Sequence, residues 1–570
     1  MGAFVLTRTG FSPERKAKIA SNLVLAGLEP AMELELPFGT LALFHPLQGA
    51  ANVCTAENGD FAFCVGSLIY KKKSGVPALR LLLEDFEPDS FAWDDMMGIY
   101  VFGIVRNGTV HIANDALGAF KIYRTGAGDI LTSSFMAAMC AVENPSPDPD
   151  GCYQFAWNGA AFGERTFAAE VKTAPFSTIV RVDDRVTDLA RPCPYFVAAR
   201  RGSEPADAIV SDLTGILREN FRTYIDVFGD AVNTSLSGGY DSRLILALLL
   251  DAGVTPAVFT YGKPTDPDIR VAREVCDAMG LKLEISHNRL SAPPDFTDGY
   301  AKAVARNFLI TDNGGYNGSF GQGVGIANRV LRAKDAMVFN GSLGEIFRLF
   351  YYLPNRSIGK RDFVYGFHYR LDPAACTDRF SPDAYCRSLE SALGKAIDQD
   401  RDVLDRQHVE LAYPLFRGRY WTSQDAAINQ RFGPTIYPFM ERNIVTATYG
   451  IPIAHKSAGK LEARMIAHLN PKLASITSDY GHAFDSKPTL KYRLVYNSSK
   501  YRPTILRKFS YRFRHSFRRA FPDYLTERHL ERVMDVSFPY MSPYFNVDRI
   551  YDSVAFNRVA TMEYIFQHWR

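Results

Sequence analysis

Apolar residues in the first 190 positions fall in short alternating runs, Phe61–Tyr70, Ile99–Val105 and Val110–Ala113, separated by turn signals such as Arg106-Asn107-Gly108. A period of two sends successive side chains to opposite faces of an extended chain, so this half predicts a β-rich module. Proline-containing stretches at Asn144–Pro149 and Pro192–Pro194 punctuate it. From about 205 the texture changes. Ala206–Val227 predicts a helix, Ala231–Ser235 a strand and, after a glycine turn, Ser242–Leu250 an apolar helix. A strand at Ala257–Tyr261, a helix at Pro267–Met279 and strands at Lys282–Ser286 and Ala336–Asn340 follow. Strand–helix alternation predicts a parallel sheet covered on both faces. The remainder, to 570, predicts mostly helix. The expected architecture is α/β, with a β-rich domain over 1–195 and a parallel-sheet domain over 205–570.

Composition refines this only slightly. A chain of 570 residues that is 47% hydrophobic can bury two to four cores, and 29 Tyr with 40 Phe exclude a disordered chain. A net charge of +3 argues neither for nor against a nucleic-acid partner. The eight cysteines form no CxxC pair and no zinc-spaced cluster, so free thiols in a reducing compartment are expected. The N-terminus has no basic start followed by an apolar core. Leu6 stands where myristoylation at Gly2 would want Ser or Thr, and no apolar run is long enough to span a bilayer. A soluble, cytoplasmic protein is the expectation.

The candidate chemistry sits at Asn233-Thr-Ser-Leu-Ser-Gly-Gly-Tyr-Asp-Ser-Arg243. A strand runs into Ser237-Gly238-Gly239 and a helix begins near Ser242. Two glycines let the backbone bring N–H groups close to an anion, and a helix N-terminus adds unpaired donors. Ser237 and Ser242 can donate to phosphate oxygens. Asp241 would repel a bare phosphate, so Mg²⁺ is its natural partner. No Gly-Lys-Ser/Thr follows, which excludes a Walker loop, and GxGxxG is absent.

SGGYDS resembles the SGGxDS loop of the PP-loop ATP pyrophosphatases, and its surroundings resemble the asparagine synthetase family. The resemblance implies that the loop grips the β- and γ-phosphates of ATP, that ATP is split between α and β, and that a substrate carboxylate becomes an acyl-adenylate attacked by an amine. It extends to Phe259-Thr260-Tyr261-Gly262, Asp268 and Ala272–Val275, with backbone near Tyr261 and Gly262 implied at adenine. Asn340-Gly-Ser-Leu-Gly-Glu-Ile-Phe347 is similar to the family's GEGADELF segment. By that match Gly341 borders the pyrophosphate, Glu345 is the second metal-binding acid beside Asp241, and Ser342 takes the place of a catalytic Glu or Tyr. Arg243 or Arg348 is expected to offset phosphate charge. Tyr437–Glu441 and Lys456–Arg464 resemble later family segments.

Two departures matter. The glutamine-hydrolysing members carry Cys directly after the initiator Met, and here position 2 is Gly; yet Ile99–Val105, Asn114–Gly118 and Ile122-Tyr123 still resemble that Ntn-hydrolase domain. The domain is expected to keep its shape without glutaminase activity, as in β-lactam synthetases and lasso peptide macrolactam cyclases. A late catalytic lysine is not evident: Ser478–His482 offers Asp479, with Lys487, Lys456 or Lys460 as substitutes. The expected activity is an AMP-forming ligase using ATP and Mg²⁺ on a small-molecule or peptide substrate, the most specific form being a lasso-type peptide macrolactam synthetase. An amidotransferase using free ammonia in surface polysaccharide synthesis and a degenerate ATP-binding member are the alternatives.

Between Ser486 and Pro522 there is no acidic residue, and Phe509, Phe513, Phe517 and Phe521 recur every four positions among eleven Lys and Arg. Phenylalanines packed inward on an ordinary helix are the favoured expectation. Docking of an anionic partner is the other. Nucleic acid is not expected, since no recognised module accompanies the run.

Overall fold

The computed structural model describes residues 2–45, 52–126, 128–191, 193, 195, 204–286, 299–312, 314–370, 372–504, 506–507, 509 and 521–569. The described residues form a mixed α/β structure with two large antiparallel sheets, a two-stranded antiparallel pair, one parallel sheet and many helices.

The alternating run Phe61–Tyr70 forms one strand, buried along its whole length, paired antiparallel with Met96–Arg106. Its two faces serve two cores. Phe61, Phe63, Val65 and Ile69 point into the main core, while Ala62, Cys64, Leu68 and Tyr70 pack on Ala78, Leu79 and Leu82 of the helix Gly75–Asp85. The second antiparallel sheet is built on Ala3–Arg8, flanked by Gly39–His45 and Ile130–Thr132. Phe4 meets Phe63 across the gap between the sheets, with ring centroids 5.6 Å apart. The runs with a period of two are strands, as expected, and the two sheets share one core.

Position 2 admits no side chain. Gly2 has φ +129°, and a Cβ there would lie 1.9 Å from the Phe44 carbonyl oxygen. Gly2→Ala is therefore expected to destabilise the protein by about 1–3 kcal/mol or more, read as a lowered thermal midpoint.

The strands of the second half form a five-stranded parallel sheet from Val232–Ser235, Ala257–Tyr261, Leu283–Ser286, Met337–Phe339 and Thr435–Ile436. Numbered along the chain, they lie in the order 3-2-1-4-5. The order reverses between the first and fourth strands, which opens a crevice at their carboxyl ends. Helix signals fall where their chemistry requires: Pro267 opens Pro267–Met279 and Gly280 closes it in the left-handed conformation. One expected boundary shifts. The helix after the glycine turn starts at Tyr240, two residues before Ser242, so Asp241 and Ser242 sit in its first turn.

One apolar core runs through both halves. Buried polar contacts cross the junction as well. The carboxylate of Glu441 accepts from the Gly98 N–H at 3.1 Å and from the Tyr224 hydroxyl at 2.8 Å. Burial pushes this carboxyl up to about 7. The folded protein therefore holds a proton that the unfolded chain releases at lower pH, and stability should fall as pH rises from about 4.5 to 7. The loss is about 3 kcal/mol. Urea midpoints across that range should flatten in Glu441→Gln.

Candidate functional site

Two loops leave the carboxyl ends of the strands that flank the crevice. Ser237–Gly239 follows Val232–Ser235, and Gly341–Gly344 follows Met337–Phe339. They touch. A Cβ on Gly341 would lie 3.1 Å from the Asp241 backbone, and one on Gly344 would lie 2.3 Å from Asp241 Oδ1. Glycine at both positions is what lets the second loop close on Asp241. Between them Leu343 sits at φ +76°, a strained conformation for a branched side chain, held by its burial.

The closure brings Asp241 and Glu345 around one guanidinium, that of Arg348. Arg348 Nη2 donates to both carboxylate oxygens of Asp241 at 2.6 Å, and its Nε donates to Glu462 Oε2 at 2.7 Å. Glu345 Oε1 lies 4.0 Å away, and its Oε2 accepts from the Tyr413 hydroxyl. Three carboxyls share one cation. Burial and the Asp241 charge push Glu345 up, and Glu462, with no exposed surface, goes well up for the same reasons. Arg348 therefore serves carboxylates here, whereas the sequence assigned it to phosphate. Crowded acids of this kind fit a divalent cation, which would relieve their mutual repulsion. Among the described residues no group of three or more His, Cys, Asp or Glu has the arrangement of a metal cage. Asp241 and Glu345 would need phosphate oxygens or water to complete a coordination shell.

The glycine loop is internally occupied. The Ser237 N–H donates to Ser242 Oγ at 3.1 Å, and the two hydroxyls lie 3.0 Å apart. The Gly239 N–H donates to Ser237 Oγ at 3.3 Å, and the Gly238 N–H to Asp268 Oδ1 at 3.0 Å. Asp479, at the place where a lysine was sought, packs its Cβ 2.6 Å from where a Cβ of Gly238 would be. Burial and Asp268 push the Asp479 carboxyl up. Of these three backbone donors the Gly238 N–H meets an anion, a side-chain carboxylate, and the other two meet serine hydroxyls.

Other expected residues go elsewhere. Arg243 points away from the loop into the protein, donating to the carbonyls of Ile476 at 2.6 Å and Thr477 at 3.3 Å, over the Phe484 ring. It is too buried to screen phosphate, and burial pulls its guanidinium down to about 10. Ser342 folds back on its own strand end, donating from N and Oγ to Asn340 Oδ1 at 2.9 and 2.6 Å. Tyr261 and Gly262 lie at the end of the strand beside Val232–Ser235, with Tyr261 exposed. Of the candidate lysines, Lys456 lines the same cavity as Glu345, a space of about 20 Å³ that suits one water. It is buried, and its ammonium reaches Glu410 at 3.2 Å.

Tyr413, Glu462 and Asp268 complete the site. Glu462 had a legible signal, an acid among Leu461, Met465 and Ile466 on the buried face of Lys460–Leu469. Tyr413 had none. It opens a π-helix, Tyr413–Thr422, in which i→i+5 bonding brings Tyr413, Arg417 and Trp421 to one side.

Comparison with known proteins adds little. No family model matches the chain, and no curated protein does. A solved structure that matches is glutamine phosphoribosylpyrophosphate (PRPP) amidotransferase from B. subtilis complexed with ADP and GMP. It is 12% identical, with a TM-score of 0.23, over 50% of this chain and 65% of that chain's length. The likeness is distant.

No helix among the described residues is long and apolar enough to cross a membrane. The described cysteines are free, and all but Cys193 are buried. The basic aromatic segment corrects its favoured expectation in part. Phe509 is 45% exposed, and Leu490 and Leu494 of the helix Leu490–Tyr501 are 74% and 71% exposed. Phe521 does pack inward, stacked on Phe556 at 4.4 Å. Phe513 and Phe517 lie outside the described residues.

Proposed function

We propose that this chain is an ATP-dependent ligase of the asparagine synthetase type, without glutaminase activity, that adenylates a carboxylate, releases pyrophosphate and transfers the acyl group to an amine. The observation that carries this reading is topological. The SGGYDS loop and the loop bearing Glu345 flank the reversal point of a parallel sheet, and their acids converge. Ligands of open α/β sheets bind at that point.

In this reading the Ser237–Ser242 loop receives the pyrophosphate end of ATP. A backbone donor that holds a carboxylate at Gly238 can hold a phosphate oxygen in its place once Asp268 turns away. Tyr261 and Gly262 border the adenine. Asp241 and Glu345 would hold Mg²⁺ when Arg348 releases Asp241, with Arg348 kept in position by Glu462. The ion would offset the charge of the phosphates. The substrate carboxylate oxygen attacks the α-phosphorus as the bond to the β-phosphate oxygen breaks. The amine nitrogen then attacks the acyl carbon, loses a proton and displaces AMP. Gly2 leaves no room for a thiol at position 2, so the amine is expected on the substrate or as free ammonia.

ATP–pyrophosphate exchange in the presence of candidate acids tests the proposal. Acid-dependent exchange is expected, and release of ADP and phosphate instead would remove the mechanism. A second reading has its own observation: Asp268 and Asp479 both cover Gly238, which suits a protein that binds nucleotide without turnover. Nucleotide binding with no AMP formed from any acid would favour it.

A further inference from the structure

The helix Leu490–Tyr501 shows apolar side chains to solvent along its outermost line. Thr489 caps it, accepting from the Tyr492 N–H at 3.3 Å. Its inward side is fixed by rings. Tyr496 is buried, with its ring 5.4 Å from that of Tyr352 and its hydroxyl 3.0 Å from Ser457 Oγ. The Tyr492 ring lies 5.6 Å from Tyr480 and 4.9 Å from His482. Successive side chains turn by about 100° around a helix, so the line opposite these two tyrosines carries Leu490, Leu494 and Tyr501. They are 74%, 71% and 66% exposed. Rotating the helix to bury them would expose the tyrosines instead.

The borders of this stripe are basic. Lys491 and Arg502 follow it on one side and Arg493 on the other, all exposed, and Lys487 precedes the helix. The helix itself contains no acidic residue. An apolar residue exposed singly is ordinary. Three on one line, with bases on both sides, make up a helix that lies in the headgroup region of an anionic bilayer. Its leucines enter the acyl boundary while the base stems reach back to phosphate. Tyr501 suits the same depth, since an amphipathic ring rests at the headgroup level.

Shape and charge favour lipid over protein as the occupant. A stripe on the outermost line of a helix is a ridge, which offers no groove to a peptide, whereas a bilayer yields around it. A second copy meeting this face with its own would set Lys491, Arg493 and Arg502 against their equivalents. The face is also joined to the candidate site. Tyr480 lies 5.1 Å from Tyr240, the first residue of the helix after the glycine loop. Two ring contacts, Tyr492 to Tyr480 and Tyr480 to Tyr240, connect the surface helix with the crevice.

We propose, independently of the ligase reading, that Leu490, Leu494 and Tyr501, with the bases beside them, dock the protein on an anionic phospholipid surface. The full chain is sedimented with vesicles of equal phosphatidylglycerol and phosphatidylcholine, and with phosphatidylcholine alone. Retention should be at least about tenfold stronger on the anionic vesicles, and should fall by about tenfold or more between about 0.05 M and about 0.5 M salt. Leu490→Gln combined with Leu494→Gln should weaken it by about tenfold or more. The thermal midpoint should stay unmoved, since both side chains are already exposed. Lys491→Gln and Arg493→Gln should each weaken retention by about fivefold, the effect of one base near an anionic surface. Arg185→Gln, on the exposed turn of the hairpin Thr178–Ala190, should leave it unchanged. Equal retention on the neutral vesicles, or retention that survives the paired leucine substitution, would overturn the proposal. So would binding of poly-glutamate with no retention on vesicles, which would assign the face to an acidic chain. A concentration-dependent dimer that Leu494→Gln dissolves, with neither vesicle bound, would overturn it in favour of a second copy.

Discussion

Alanine at position 348 is expected to destabilise the protein by about 3–5 kcal/mol, because it leaves three acids with no counter-charge. Asp241, Glu345 and Glu462 all face the Arg348 guanidinium, and the side chain of Glu462 has no exposed surface. The loss should grow as pH rises. With the cation gone, the Glu345 and Glu462 carboxyls are pushed further up, so the folded state holds protons that the unfolded chain gives away. Urea midpoints at pH 5 and pH 8 measure this directly. Arg348→Met combined with Glu462→Gln should recover part of the loss, since the pair is removed together. A loss below about 1 kcal/mol for Arg348→Ala would mean that the cluster is hydrated and the arginine merely passes by.

Asparagine at position 241 is expected to do the opposite. It removes one of three crowded charges while keeping the shape, so stability should change far less than in Arg348→Ala. Acid-dependent ATP–pyrophosphate exchange should nevertheless fall by about 10²–10³-fold, the usual consequence of deleting a group that stabilises developing charge. The two measurements together separate a structural acid from a functional one. Exchange that survives Asp241→Asn within tenfold would strip the SGGYDS loop of its proposed role. Magnesium offers a companion measurement: it should raise the thermal midpoint of the unaltered chain and leave that of Asp241→Asn unmoved.

Much of the second half was legible because local chemistry and global fold agree there. Ala257–Tyr261 and Pro267–Met279 form as read, since β-branched and aromatic residues fill the strand while Pro267 and Gly280 bracket the helix. The pairing of Asp241 with Glu345 was implied by the family resemblance alone, and the two acids approach one guanidinium. What pairs with what was not legible. Arg348, expected to offset phosphate charge, is anchored by an acid 114 residues away on another helix. Arg243 looked equally suitable, yet it lies on the helix face that turns inward. Asp268 covering Gly238 is a contact between separate βα connections, which no periodicity reports. The π-helix escapes for a related reason. Its i→i+5 bonds are a small adjustment of an α-helical register, which the residues of Tyr413–Thr422 do not announce.

Trp157 and Phe162 give the first half of the molecule a structural office. It is masonry for a chamber whose remaining walls belong to the second half. Severed from it, residues 205–570 would carry an open apolar flank into water, and the isolated fragment should precipitate more readily than the full chain.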